Sequence, residues 1–183
     1  MNSFRSTTIT KTHSRRLVIL VLLIAPLLAV TPTATAQVSN LINISTRGFV
    51  LTGDYVMIGG FIVSGDAPKT VIVRALGPEL LEFDDNLTVL ADPTLELHNR
   101  TGALIAFNDD WQDTVIGGII TADQVPAILD SGLAPTDDFE SAIIATLPPG
   151  RYTAIVRGFD DTVGAALVEV YDLPFPALTP PQK

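Results

Sequence analysis

Ser141-Ala142-Ile143-Ile144-Ala145-Thr146-Leu147-Pro148-Pro149-Gly150-Arg151-Tyr152-Thr153-Ala154-Ile155-Val156-Arg157-Gly158 decides the fold class. Two runs of β-branched, aromatic and small apolar residues flank a Pro-Pro-Gly break that presets a turn. Tyr152, Ala154 and Val156 alternate with Thr153, Ile155 and Arg157, the two-residue period of a strand. Runs of the same character lie near Leu41 to Thr46, Tyr55 to Val63, Lys69 to Ala75, Thr94 to His98, Ala103 to Phe107 and Ala165 to Asp172, for about eight strands in total. Gly65-Asp66-Ala67-Pro68 and Asn99-Arg100-Thr101-Gly102 supply two more turns, so antiparallel hairpins are expected at all three breaks. The expected fold is all-β, an antiparallel jelly-roll-like β-sandwich.

Alternation places Leu95 and Leu97 inward and Glu96 and His98 outward, so His98 is expected on the surface. Tyr55 to Val63 is apolar at successive positions and reads as a central strand buried on both faces, with Gly59-Gly60 marking a bulge or a close backbone approach. Residues 112–140 do not alternate. Within them Thr121-Ala122-Asp123-Gln124 can start a short helix toward Asp130, which Pro126 limits to one or two turns; a long loop is the alternative. The echo of Thr70-Val71-Ile72-Val73-Arg74 in Thr153-Ala154-Ile155-Val156-Arg157 is explained by two similar strands.

Arg5, Lys11, Arg15 and Arg16 precede an apolar run from Leu17 to Val30, followed by small residues at Ala34 and Ala36. This is the pattern of an export signal cleaved after Ala36. The run's 14 residues fall short of the roughly 18 needed for a permanent membrane helix. The expected organisation is a cleaved signal helix at 1–36, a sandwich domain at 37–172 and a Pro-rich tail at 173–183. The location is then secreted, periplasmic or cell-surface, with no membrane attachment after cleavage. Cysteine is absent, which excludes disulfides and a lipid-anchored cysteine. Cleavage leaves seven basic and 20 acidic residues, a net charge of −13. Such a surface repels phosphate backbones and anionic lipid, which argues against nucleic acid as a partner and favours divalent cations.

Three stretches together resemble an uncharacterised repeat module of exported bacterial proteins: Thr52 to Val63, then Asp92-Pro93-Thr94-Leu95-Glu96-Leu97 leading to Ala106-Phe107-Asn108-Asp109-Asp110-Trp111, then Glu140-Ser141-Ala142-Ile143 through Pro149-Gly150-Arg151-Tyr152-Thr153 to Gly158. The second half is similar, more loosely, to bacterial pre-peptidase C-terminal domains. The shared order is a Leu-x-Leu strand, a Gly-containing turn, an apolar strand, Asn-Asp-Asp, and later Pro-Gly-x-Tyr-Thr. That resemblance implies a jelly-roll sandwich with an accessory role, sometimes with bound calcium. The 183 residues hold no peptidase beside the sandwich, so a free-standing binding or matrix role is expected over delivery.

Catalytic signatures are sparse. The domain has one histidine, His98, and no Ser-His arrangement; Ser141 lacks the glycines and helix of a nucleophile elbow, and no phosphate-cradling glycine loop occurs. A pair of carboxylates such as Asp110 and Glu140 facing one cleft would suffice for a glycosidase, which keeps a hydrolase as one alternative. The densest polar cluster is Asn108-Asp109-Asp110-Trp111-Gln112-Asp113. Asn108, Asp109, Asp110 and Asp113 offer hard oxygen ligands for calcium, without EF-hand spacing, and Asp137, Asp138 and Glu140 can add to the shell if the 112–140 segment folds back. The competing reading is a set of Asx turns. Trp111 is either a sugar-stacking ligand-binding platform or a plug pinning its loop to the sandwich. The reading is a non-catalytic module for adhesion, assembly or ligand capture with an unknown protein or glycan partner. A carbohydrate-binding module is the other alternative.

Overall fold

The computed structural model describes residues 43–173. The segment at 1–36 that the sequence analysis expects to be an export signal lies outside the described residues, as does the Pro-rich tail beyond Leu173. Eight strands form: β1 (Asn43–Val50), β2 (Met57–Val63), β3 (Lys69–Leu76), β4 (Pro93–Asn99), β5 (Leu104–Asn108), β6 (Ser141–Leu147), β7 (Gly150–Gly158) and β8 (Gly164–Leu173). One helix, α1 (Val125–Asp130), precedes β6. It begins beside the predicted cap and is a single turn and a half; Pro126 sits in its first turn, where proline is tolerated and does not set the length, and Gly132 at φ 69° lies just past its end.

The strands make two four-stranded sheets, β1-β8-β3-β6 and β2-β7-β4-β5, with every pairing antiparallel. The pairings nest. Outward from the β4–β5 hairpin, β3 pairs with β6, β2 with β7 and β1 with β8, as in one long ribbon wrapped into a barrel. Contacts β3–β8 and β4–β7 then close the two sheets. This is the jelly-roll form of the β-sandwich.

The nesting corrects two of the three expected hairpins. Only Asn99 to Gly102 joins paired strands; Gly65 to Pro68 and Pro148 to Gly150 carry the chain from one sheet to the other. Turn residues specify that a chain bends, and the pairing is decided by which faces must be buried. Tyr152 fastens the second corner. Its hydroxyl donates to the Pro148 carbonyl oxygen at 2.8 Å, and its ring stacks on Phe61 at a centroid distance of 5.6 Å.

Between the sheets lie Val50, Leu90, Leu95, Leu97, Ile143 and Val156, all fully buried. A second cluster sits outside the first sheet, where Ile72 of β3 and Ala142 of β6 pack under Trp111 and Ile128 of α1. The strand buried on both faces is therefore β3. The predicted central strand, β2, is an edge strand with Ile58 and Ile62 60% and 68% exposed. Apolar residues on both faces of β2 concealed an alternation that exposure reveals: Met57, Phe61 and Val63 point in, Ile58 and Ile62 out. There is no register shift along β2, so the glycine pair makes no bulge there. Gly59 instead admits close packing, since a Cβ there would meet Val168 at 3.0 Å.

Candidate functional site

Antiparallel pairing brings the start of β4, the end of β5 and the end of β7 to one end of the sandwich: Leu95 faces Asn108, and Pro93 faces Gly158. Asp92 precedes β4, Asp109 and Asp110 follow β5, and Asp160 follows β7, so four carboxylates meet at that end. The Phe159 amide donates to the Asp92 carbonyl oxygen at 2.8 Å, tying the β7–β8 connection to the start of β4. Asp160 and Asp161 hold left-handed backbone, φ 49° and 60°, a conformation that side chains other than glycine adopt at a cost of about 1 kcal/mol or more each.

Partial burial and neighbouring charges raise three of them, Asp92, Asp109 and Asp110, above the ordinary carboxylate value. Burial and then the charges of Asp109, Asp110 and Asp160 push Asp92 up to about 6. Burial and then Asp110 raise Asp109. Burial, followed by Asp113 and Asp138, raises Asp110. One oxygen of Asp92, Oδ1, and the same atom of Asp109 are closed off from solvent with no hydrogen-bond partner. Buried carboxylate oxygens without a donor are costly, and protonation, a bound water or a cation relieves that cost.

The residues singled out in the sequence divide between roles. Asn108 is 3% exposed and builds the loop: Nδ2 donates to the carbonyl oxygens of Asp110 and Asp113 at 2.9 and 3.0 Å, while Oδ1 accepts the Ala142 amide at 2.9 Å. Its oxygen is therefore engaged and faces β6, away from a ligand position. Asp113 adds its charge to Asp110 from further along the loop. Trp111 is 7% exposed, its amide donates to Glu140 O at 2.7 Å, and Nε1 donates to Asp137 O at 3.0 Å. Its ring fills the second hydrophobic cluster, so no face is open for stacking a sugar.

The 112–140 segment does fold back, with Gln112 donating to the Asp138 carboxylate. Glu140, however, points elsewhere. It is fully buried, its two oxygens accepting the amides of Gly77 and Glu79 at 2.7 and 2.8 Å. Those amides start a 3-10 turn at Pro78–Glu82, and a Cβ on Gly77 would lie 1.9 Å from Leu90 O, so only glycine fits. Burial pushes Glu140 up to about 8, against the two amides that stabilise its charge and with the added repulsion of Glu79 and Asp137. Asp110 and Glu140 thus do not share a cleft. Ser141 is fully buried with its hydroxyl among the carbonyl oxygens of Pro93, Asn108 and Asp109. His98, expected on the surface, has a side chain only 16% exposed; its ring nitrogens lie 3.1 Å from Gly102 O and 2.7 Å from Glu96 Oε2. The ring thus lies against the hairpin turn at Gly102, next to the register shift that leaves Ile105 of β5 unpaired.

Asp92 was not legible as a site residue, and Asp160 was visible only as a separate acidic pair with Asp161, because they stand 17 positions before and 51 after Asp109 in sequence. Only the pairing of β4 with both β5 and β7 unites them. The donor set suits calcium in kind, since hard carboxylate oxygens of Asp92 and Asp109 can be completed by water and by Asp110 or Asp160. Among the described residues no three acidic or histidine side chains converge into a metal-holding group as they stand. A cation there would rely on the two orphaned carboxylates and solvent rather than on a complete protein cage.

No family model matches the chain, and no curated protein matches it. Among solved structures the chain is similar to the pre-peptidase C-terminal domain of a collagenase from Bacillus anthracis, at 17% identity and a TM-score of 0.38, covering 70% of this chain and 89% of that one.

Proposed function

We propose that the chain is a non-catalytic extracellular sandwich module, serving adhesion, assembly or ligand capture, whose acidic end takes up calcium. The observation that carries this reading is the pair of carboxylates, Asp92 and Asp109, each with one oxygen sealed from solvent and unpartnered. Calcium converts their mutual repulsion into coordination, and the millimolar concentrations usual outside cells suffice for a weak site. Of the two carboxylates that sequence alone offered to a hydrolase, Glu140 supports a structural role instead, and so does its neighbour Ser141. Glu140 caps a turn from inside the molecule and Ser141 binds backbone carbonyls. An export signal and a cysteine-free, acidic composition support the location. Calorimetric titration of calcium into chelator-treated protein should give one site, lost in Asp109→Asn. Absence of heat and of any change in melting at millimolar calcium would overturn the cation while leaving the module reading to stand on its fold.

A further inference from the structure

The outer face of the β2-β7-β4-β5 sheet differs from the rest of the molecule. Residues 43–173 contain all 20 acidic residues and six basic ones: Arg47, Lys69, Arg74, Arg100, Arg151 and Arg157. Lys69 pairs with Asp172, Arg74 with Glu169 and Arg157 with Glu96, while Arg47 stands alone on β1. Arg100 and Arg151 make no ion pair among the described residues, yet they line one shallow basin of about 480 Å³ with His98, Asn99, Thr153 and Ile155. Two unpaired guanidinium groups converging on a chain of this charge present a local field opposite to the molecule's own.

Register carries the basin across β7 to the edge of the sheet. Ile58 faces Ile155, Gly60 faces Thr153, and Ile62 faces Arg151. Between the exposed Ile58 and Ile62, a Cβ on Gly60 would meet nothing within 4 Å. The result is a furrow floored by Gly60 and Thr153, walled by isoleucines and open to the arginines. Its outer border, β2, pairs only with β7, and Met57–Val63 contains no charge or proline to discourage another strand.

We infer that this face captures an extended acidic peptide. The peptide's backbone runs along the free edge of β2, alternate apolar side chains rest against Ile58 and Ile62, and a carboxylate reaches Arg151 and Arg100. Charge complementarity selects this occupant: a second copy of so acidic a chain meets repulsion, and no aromatic ring lines the basin to stack a sugar. The site is separate from the acidic end and does not depend on the cation.

The test is fluorescence anisotropy with a labelled decapeptide alternating valine and glutamate, against a valine–lysine repeat and polygalacturonate, on protein recovered from expression of the full chain. The glutamate peptide should bind, and the lysine peptide should not. Arg100→Glu with Arg151→Glu should weaken binding at least about tenfold, and added salt should weaken it in the wild type. Gly60→Val, which fills open space on a strand, should weaken it by a similar factor while leaving the melting temperature unchanged. Equal binding by wild type and both variants would overturn the assignment. So would binding of polygalacturonate alone, or a concentration-dependent dimer that excludes the peptide.

Discussion

Replacing Glu140 by glutamine should change how stability depends on pH. In the native protein Glu140 is fully buried between two amide donors with no cation beside it, and burial pushes its carboxyl up to about 8 from an ordinary value of 4.5. Between those values the native state keeps a proton that the unfolded chain releases, so stability is greatest at low pH and falls as pH rises. The full window corresponds to at most about 5 kcal/mol, which structural relaxation and water entry reduce to on the order of 2–4 kcal/mol. Asp92 has the same sign but is pushed up only to about 6. The interval from roughly pH 6.5 to 8.5 therefore isolates Glu140, and about 2 kcal/mol should be lost across it. Glutamine removes the charge but turns its NH2 toward one of the two amides, at a cost of about 1–3 kcal/mol. Urea unfolding in chelator at several pH values should show wild type more stable than Glu140→Gln below pH 6.5, with the two curves closing by pH 8.5. A wild-type stability that is flat over this range, or a variant with the wild-type slope, would refute the assignment.

Other consequences follow from the same packing. Trp111→Ala removes the ring between β6, α1 and the returning loop and should cost about 3–5 kcal/mol, read as a lower urea midpoint, while Trp111→Phe should cost less. Glu169→Gln breaks the ion pair with Arg74, whose guanidinium also donates to Leu133 O at 3.0 Å and lies 5.5 Å from the Tyr171 ring centre. A buried unpaired arginine should then cost about 3 kcal/mol in the same assay. Asp92→Asn should stabilise the protein in chelator at pH 7.5 by no more than about 1 kcal/mol, since it removes a partly buried charge repelled by Asp109, Asp110 and Asp160, an effect that solvent screening reduces. In calcium the same variant should lose its advantage.

Strand positions were legible because period-2 patterning is local: all eight runs became strands, with ends shifted by a few residues. What joined them was not. Pro148-Pro149-Gly150 says that the chain bends but cannot say that β6 and β7 belong to different sheets. The apolar run at β2 concealed its edge position, and the burial of β3 on both faces depended on Trp111 and Ile128, which lie 39 and 56 positions after Ile72. The acidic loop was visible as composition, yet its organiser, Asn108, is set inward by Ala142, while the unpartnered oxygens belong to Asp109 and to Asp92, from another strand. Glu140 was noticed as a carboxylate in a chain full of them. Its role depends on the amides of Gly77 and Glu79, which only the tertiary fold supplies.

The account of the acidic end is tested most directly by thermal melting of protein recovered from expression of the full chain, in excess chelator and in millimolar calcium at pH 7.5. On the proposed reading calcium binds the assembled end of the sandwich and not the open chain, so it should raise the melting temperature with concentration by mass action. Wild type should rise by several degrees, while Asp92→Asn with Asp109→Asn should melt at one temperature in both buffers. Identical wild-type melts, or an equal calcium-induced rise in the double variant, would contradict the site.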